Sequence, residues 1–362
     1  TGKGDEKVRE AIENARKTNL DCEKLFTPYT IVQNILLDLF SILIIGAGIF
    51  FYQRGELSFL NTVMTIIISF LAFSQIKLAG SATTALRVVS GSIEQTKKLE
   101  EFPQMDIEGK DIKPANFNIS FENVEFAYSG KKILDDISVD IPQNQMTAIV
   151  GPSGAGKTTF CNLIARFWDI DNGKISIGGH NIKEYSLESL MKQISMVFQN
   201  VYLFQDTIEN NIKFAKPNAT HEEVVDAAKK ACCHDFIMNL PEQYQTVIGE
   251  GGASLSGGEK QRISIARAMI KNAPIIIFDE ATANVDPENE DKLQLAMEEL
   301  TRNKTVIMIA HRLKTIKNAN QILVLANGKI MQKGTHEELI QTDGIYRNFV
   351  EARQVATKWQ LS

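Results

Sequence analysis

Residues 151–158 read GPSGAGKT and directly follow the apolar run MTAIV. Glycines at these positions let main-chain N–H groups wrap around phosphates, and the lysine and threonine suit the phosphate charges and a metal ion. The motif belongs between a strand and a helix, and the flanking sequence supplies both. It therefore predicts an α/β phosphate-loop fold. The candidate phosphate contacts are Gly151, Pro152, Ser153, Gly154, Ala155, Gly156, Lys157, Thr158 and Thr159.

Short apolar runs alternate with helical patterns on both sides of this loop. The runs ISFENVEFAY, MTAIV, KISIG, ISMVF, PIIIF, TVIMIA and QILVL read as strands, and residues 158–168, 221–239 and 257–271 read as helices. This alternation is typical of an α/β domain, which we place at residues 118–354.

Two strands of this predicted domain end in polar residues. The run PIIIF is followed by Asp279, which suits a contact to Mg²⁺, and by Glu280, which can polarise a water for attack on a phosphate. The run TVIMIA is followed by His311, where a hydrogen bond to a phosphate is expected. Gln199 closes another strand and has no role on its own. Tyr128 offers a flat face for adenine, although such a tyrosine often only packs.

The segment SLSGGEKQR, residues 254–262, reads as a helix start with adjacent glycines. Exposed N–H groups at a helix N-terminus attract anions, and glycine lets a ligand approach the backbone closely. Ordinary capping accounts for Ser256 but leaves both Gly257 and Gly258 unexplained. A second anion contact is therefore expected here, separate from the phosphate loop.

The first hundred residues have a different character. Residues 25–53 carry one charge, Asp38, and residues 57–76 carry none, with Arg54-Gly55-Glu56 between them. Twenty helical residues span about 30 Å, the thickness of a bilayer core. We predict membrane helices at about 26–53 and 57–76, with Asp38 at the interface or facing a polar interior. The alternative is a pair of buried helices in a soluble protein.

The remaining segments complete the predicted organisation. Residues 1–25 and 77–101 read as polar helical extensions, so that 1–101 form a partial transmembrane domain. A linker at 102–117 contains Pro103, Gly109 and Pro114, and residues 355–362 form a tail.

Charge and cysteine content narrow the class of protein. The net charge of −5 and the scattered lysines and arginines argue against a nucleic-acid partner. The four cysteines show neither a C-x-x-C pair nor a metal-ligand spacing. They are expected to be reduced, partly buried thiols.

In this order and spacing, GPSGAGKT, Gln199, LSGGEKQR, IIIFDE and His311 resemble the nucleotide-binding domain of an ABC transporter. The apolar spans before it are similar to the last two membrane helices of an exporter-type half-transporter, with four earlier helices absent from this chain. The resemblance implies an ABC ATPase domain of the α/β phosphate-loop class, preceded by an all-α transmembrane segment.

The resemblance also implies ATP and Mg²⁺ as ligands and two such domains closed head to tail. Ser256, Gly257 and Gly258 then face the ATP held by the partner subunit, and Asp286 lies in the loop that crosses the dimer interface. The string ATANVDPE departs from the usual sequence there but retains that carboxylate.

Individual roles follow from the same resemblance. Tyr128 stacks on adenine, Lys157 neutralises phosphate charge, Glu280 is the base and His311 holds the γ-phosphate. Mg²⁺ is bound by Thr158 and Gln199 and supported by Asp279.

The implied function is that of an ATP-hydrolysing transporter subunit, paired with a second half-transporter as a homodimer or a heterodimer. It would be a multi-pass protein of the cell membrane, with lipid around its helices and the ATPase domain in the cytoplasm. Export is the expected direction. The alternatives are an exporter-shaped importer of metal–siderophore complexes, a soluble ABC ATPase, and a half whose ATP site is silent.

Overall fold

A computed structural model of the chain describes residues 2–100, 109–252, 254–279, 287–310 and 313–360. The chain divides into two compact units, Thr1–Pro103 and Gln104–Ser362. The first is helical and the second is mixed α/β, and each is described by itself.

The helical unit is a hairpin of two long helices, α1 (Gly2–Gln53) and α2 (Phe59–Glu100). Gly55, with a φ of 73°, closes the turn between them. The helices pack against each other near Gly48 of α1, where an added Cβ would lie 3.8 Å from Thr62 Cγ2 of α2, an ordinary packing distance. The segments Ile12–Gln53 and Phe59–Ala79 are long and apolar enough to cross a membrane.

An ion pair joins the two helices. Lys77 Nζ lies 2.5 Å from Asp38 Oδ1. The sequence predicts that Asp38 lies either at the membrane interface or facing a polar interior. The structure gives its carboxylate a countercharge on the neighbouring helix.

The α/β unit contains ten strands and ten α-helices within its described residues. The strands are β1 (Ile119–Tyr128), β2 (Lys131–Ile141), β3 (Met146–Val150), β4 (Asn172–Ile177), β5 (His180–Asn181), β6 (Ile194–Val197), β7 (Ile275–Asp279), β8 (Thr305–Ile309), β9 (Gln321–Ala326) and β10 (Lys329–Gly334). The helices are α3 (Lys157–Ile164), α4 (Leu187–Gln193), α5 (Ile208–Lys213), α6 (His221–Lys230), α7 (His234–Met238), α8 (Gly257–Lys271), α9 (Pro287–Thr301), α10 (Leu313–Lys317), α11 (His336–Gln341) and α12 (Ile345–Gln360).

The strands form two sheets. The six-stranded sheet has the order β10-β9-β3-β8-β7-β6, and every neighbouring pair is parallel except β10 with β9. The four-stranded sheet, β2-β1-β4-β5, is antiparallel. Because β3, β8, β7 and β6 are adjacent and parallel, their carboxyl ends lie along one edge of the larger sheet.

Two apolar clusters form the core. One joins the antiparallel sheet to α3, where Phe121 and Phe160 stack with ring centroids 4.3 Å apart. The other contains buried residues of the larger sheet and α8, including Phe278 and Ile265. Each fully buried side chain of this size contributes about 1.5–3 kcal/mol through removal of apolar area from water.

Some elements differ from the sequence-based expectation. The helix predicted at 158–168 ends at Ile164, and Arg166, with a left-handed φ of 52°, cannot continue it. The helix predicted at 221–239 is split into α6 and α7 by Cys232, whose φ is also 52°. The sequence did not predict strand β2, because Asp136 interrupts its apolar pattern. In the structure, Asp136 has a φ of 54°.

Candidate active site

The phosphate loop connects the central strand β3 to helix α3. Three of its glycines have positive φ: Gly151 at 150°, Gly154 at 79° and Gly156 at 97°. A Cβ on Gly151 would lie 2.0 Å from the carbonyl oxygen of Leu325, so no side chain fits there. The glycines of the motif are therefore required by the backbone of this loop.

Lys157 is the first residue of α3 and is buried at 9% exposure. Its Nζ donates to the carbonyl oxygens of Gly151 at 3.0 Å and Pro152 at 2.9 Å. These bonds hold the ammonium group across the loop. A positive charge is thus fixed where the motif binds phosphates.

The two threonines that follow differ in exposure. Thr158 is exposed, and its hydroxyl lies 3.4 Å from Asp279 Oδ1 at the end of β7. Thr159 is buried at 8% exposure, so its side chain is not presented to a ligand. Pro152, Ser153 and Gly154 are exposed, whereas Ala155 is buried.

Burial and the Asp279 carboxylate also affect Cys161, on the second turn of α3. Both raise the pKa of its thiol far above the ordinary value, burial more strongly. Cys161 therefore stays protonated, and it belongs to the support of the loop rather than to its chemistry.

Gln199 lies two residues beyond the end of β6 and is exposed. The residue before it is tied to α8, because Gln261 Nε2 donates to the Phe198 carbonyl at 3.5 Å. Strand β6 is next to β7, so Gln199, just after β6, and Asp279, the last residue of β7, belong to the ends of neighbouring strands of one sheet.

Helix α8 begins with a complete capping box. Ser256 Oγ accepts from Glu259 N, and Glu259 Oε2 accepts from Ser256 N at 2.8 Å. Gly257 and Gly258 lie in the first turn and have helical conformation. Neither glycine has a positive φ, so the backbone conformation does not explain them; close approach of a ligand would explain the exposed Gly257, whereas Gly258 is buried.

Tyr128 is the last residue of β1 and is half-buried. Its ring contacts Phe126 at a centroid distance of 4.7 Å and Trp168 at 5.2 Å. The structure therefore places an aromatic group on the hairpin that leads into β3.

Three predicted site residues, Glu280, Asp286 and His311, lie outside the described residues. Glu280 follows β7 directly in the sequence, and His311 comes two residues after β8. Within the described part of the chain, no group of three or more His, Cys, Asp or Glu residues is arranged to hold a metal ion.

A cavity of about 480 Å³ in this unit was not anticipated from the sequence. It is lined by apolar side chains such as Phe204 and Phe214 and by two cations of α8, Arg267 and Lys271. Burial lowers the pKa of both cations, and Lys271 Nζ donates to the Ile194 carbonyl at 2.6 Å. The sequence feature that could have indicated this cavity is a pair of cations four residues apart on an otherwise apolar stretch of α8.

Comparison with known proteins identifies the α/β unit. Residues 134–283 match the family model described as "ABC transporter". The α/β unit therefore contains a domain of the ABC transporter family. The predicted α/β phosphate-loop domain preceded by a helical segment is thereby confirmed, and ATP is the nucleotide that this domain binds.

Similar ABC proteins include two curated relatives. An "ATP-dependent lipid A-core flippase" of Desulfotalea psychrophila is 49% identical over 240 residues, which are 66% of this chain and 42% of the relative. A "putative multidrug export ATP-binding/permease protein" of Staphylococcus aureus is 49% identical over 232 residues, 64% of this chain and 40% of the relative. The chain thus spans less than half the length of these two relatives.

A solved structure extends the similarity to most of the chain. The bacterial Atm1-family ABC exporter with ATP bound has a TM-score of 0.81 and 34% identity, and the match covers 90% of this chain and 57% of the other. The ABC family fold therefore accounts for more of the chain than residues 134–283 alone.

Proposed function

We propose that the chain is the ATP-hydrolysing, membrane-spanning part of an ABC exporter, and that it works as a dimer with a second half-transporter. The observation that carries this proposal is one chain with both a formed phosphate loop around Lys157 and two helices able to cross a membrane. A soluble ABC ATPase would share the loop but would have no use for the exposed apolar helices.

The order of strands supports the assignment of the catalytic residues. Strands β3, β8, β7 and β6 are adjacent and parallel, and the sequence places the phosphate loop, His311, Asp279-Glu280 and Gln199 after them in turn. Residues that follow adjacent parallel strands meet at one edge of a sheet. We assign Glu280 as the general base for water and His311 as a hydrogen-bond donor to the γ-phosphate.

The residues around Thr158 fit a magnesium ion. The Thr158 hydroxyl and the Asp279 carboxylate are oxygen donors 3.4 Å apart, and Gln199 offers an amide oxygen at the neighbouring strand end. When bound, Mg²⁺ offsets negative charge on the phosphates. Lys157 holds a positive charge at the loop, and the glycines admit the phosphates to the backbone.

The start of α8 supports the dimer. Gly257 leaves the exposed N-terminal end of a fifteen-residue helix without a side chain, so a phosphate held by a partner subunit would reach its N–H group. This contact is strongest with intact ATP, because the γ-phosphate carries much of the charge. Hydrolysis would remove it and let the dimer open.

The cavity beside α8 supports a response of the α/β unit to the nucleotide. Its wall includes Phe198, Asn200 and Val201, the residues around Gln199. A change at Gln199 upon ATP binding would therefore move this wall.

The relatives are named as a flippase and as exporters, which favours export over import of metal–siderophore complexes.

The ATPase assignment is tested by hydrolysis assays on the chain in detergent. Glu280→Gln should retain ATP binding and lose at least about 100-fold in turnover, because the base is removed. Glu299→Gln, which alters an ion-paired glutamate on α9, is the matched control and should keep normal turnover. Equal hydrolysis by wild type and Glu280→Gln would refute the assignment of the base.

Two further measurements test the other parts of the proposal. Glu280→Gln with saturating ATP should elute as a dimer, and a monomer would contradict the head-to-tail arrangement. After alkaline washing of cell membranes, the chain should stay in the pellet. Release into the supernatant would favour the soluble ABC ATPase instead.

A further inference from the structure

Three aromatic rings meet at the end of strand β1. Tyr128 contacts Phe126 with a centroid distance of 4.7 Å and an interplanar angle of 89°, and it contacts Trp168 at 5.2 Å and 84°. Phe126 is buried at 3% exposure, whereas Trp168 is 50% exposed. The indole is thus a partly solvent-facing ring set perpendicular to the tyrosine ring.

The hairpin that carries Tyr128 is tightly held. Tyr128 pairs with Lys131 across a two-residue turn, Ser129-Gly130, and both turn residues have positive φ, 47° and 84°. Positive φ at both positions is the geometry of a type I′ turn, which matches the twist of the flanking strands. The main chain of Tyr128 therefore has little freedom.

The same hairpin passes beside the phosphate loop. A Cβ placed on Gly156 would lie 3.3 Å from the carbonyl oxygen of Ile133 and 2.8 Å from Leu134 Cδ2, both on β2. Ile133 comes two residues after the partner of Tyr128. The tyrosine ring is thus carried on the strand pair that borders the phosphate loop.

Hydrogen bonds hold the chain on both sides of Trp168, and the bond after it reaches the hairpin. Before it, Arg166 Nε donates to Asp169 Oδ1 at 3.0 Å. After it, the Asp171 carboxylate accepts from the main-chain N–H of Ala127, the residue before Tyr128, at 2.7 Å. The segment that carries the indole is therefore bonded directly to the strand end that carries the tyrosine.

We propose that Trp168 is a positioning residue of the nucleotide-base site, which holds the Tyr128 ring in the orientation that stacks on the base. The inference rests on the proposed function, because it takes Tyr128 as the adenine contact. A ring bordered by two perpendicular rings cannot rotate without losing edge-to-face contacts. The phosphate contacts of Lys157 do not depend on this orientation.

The test separates binding of the base from binding of the phosphates. In a Trp359→Phe background Trp168 is the sole tryptophan, since the chain has two. Its fluorescence should change on titration with Mg·ATP. Trp168→Ala should weaken ATP affinity about three- to tenfold, the range for one aromatic pair, and leave the affinity for tripolyphosphate unchanged. Affinities of the alanine variant are read by competition against a fluorescent ATP analogue.

Three more variants sharpen the result. Trp168→Phe retains a ring and should recover most of the ATP affinity. Phe167→Ala, a neighbouring aromatic with 43% exposure, is the matched control and should not change ATP affinity. Combined with Tyr128→Ala, Trp168→Ala should cost little more, because both act on one stacking contact.

Distinct results would overturn the inference. Unchanged ATP affinity in Trp168→Ala, or an equal loss for ATP and tripolyphosphate, would show that the indole only supports the fold. If the wild-type chain bound neither ATP nor tripolyphosphate, the proposed ATP site itself would fail, and the inference with it.

Discussion

The guanidinium group of Arg267 donates to the main-chain oxygen of Asn211 at 2.9 Å and to its side-chain oxygen at 3.1 Å. Arg267 lies on α8, the helix that Ser256 caps, and Asn211 lies on α5. Asn211 is 1% exposed, and its amide also bonds to Phe204 and Thr207. The two residues therefore join α8, which begins at Gly257, to α5, which lies in the segment that follows Gln199.

Removing this arginine should destabilise the α/β unit. Arg267→Ala removes the guanidinium bonds to the main-chain and side-chain oxygens of buried Asn211, and among the described residues only the side-chain oxygen keeps a bond, from Phe204 N. We expect the free energy of unfolding to fall by about 2 kcal/mol. For a domain of this size, the melting temperature should fall by about 4–8 °C. Arg267→Lys should restore little, because an ammonium group cannot reproduce the planar fork.

The control is Arg302→Ala, which removes an exposed arginine paired with Glu299. Exposed pairs contribute about 0–1 kcal/mol, so its melting temperature should stay close to that of the wild type. Equal effects of Arg267→Ala and Arg302→Ala would show that the bonds to Asn211 carry no stability.

Two glycines of the phosphate loop should differ in their tolerance of a methyl group. Gly151→Ala places a Cβ 2.0 Å from the Leu325 carbonyl, so the loop must deform and ATP binding should be lost. Gly154→Ala meets open space but has a φ of 79°, so it should cost only about 1–2 kcal/mol of backbone strain. Binding of a fluorescent ATP analogue measures the difference, and equal loss in both variants would contradict the steric explanation.

Local patterns made much of the α/β unit predictable. The phosphate loop, the strand PIIIF before Asp279 and the helix start at Ser256 are each encoded within about ten residues, and the structure forms all three elements. The helix ends just before Arg166 and Cys232 were not predictable, since a left-handed φ in such residues carries no local signature.

Contacts between distant residues were also invisible in the sequence. Arg267 and Asn211 are 56 positions apart in the sequence, and the half-exposed Trp168 contacts Tyr128, which lies 40 positions before it. Such pairs depend on how elements pack after folding. For Glu280, Asp286 and His311, sequence order remains the basis of the proposed roles.

Reactivity of the cysteines should follow burial. Cys22 is exposed, whereas Cys161 and Cys233 are buried. Burial raises the pKa of Cys233 to about 12 and also raises that of Cys161, so neither forms the reactive thiolate at pH 8. Iodoacetamide followed by mass spectrometry should label Cys22 in the folded chain and the buried thiols only in guanidinium. Labelling of Cys161 under native conditions would contradict its place in the core.

As the pH falls, protonation of His336 should contribute to a loss of stability of the α/β unit. Its Nδ1 lies 2.7 Å from the Tyr346 hydroxyl, and burial, helped by Lys317, lowers the pKa of its imidazole below the ordinary 6.5. The unfolded chain therefore binds the proton more readily, so this contribution is complete above pH 6.5 and is lost as pH falls. Between pH 7.5 and 5, the melting temperature of His336→Gln should fall less than that of the wild type. A shared slope for the wild type and His336→Gln would exclude His336 as a cause.

The ion pair between Asp38 and Lys77 should couple the two long helices. Its atoms lie 2.5 Å apart between segments apolar enough to enter a membrane, where an unpaired charge costs about 2.5–3.5 kcal/mol on insertion scales. Asp38→Asn and Lys77→Gln should therefore each lower the melting temperature in lipid nanodiscs. The double variant should be less destabilised than the sum of the two, because it strands neither charge. The exchange Asp38→Lys with Lys77→Asp should recover part of the loss, whereas additive effects with no recovery would show that the two side chains do not interact in lipid.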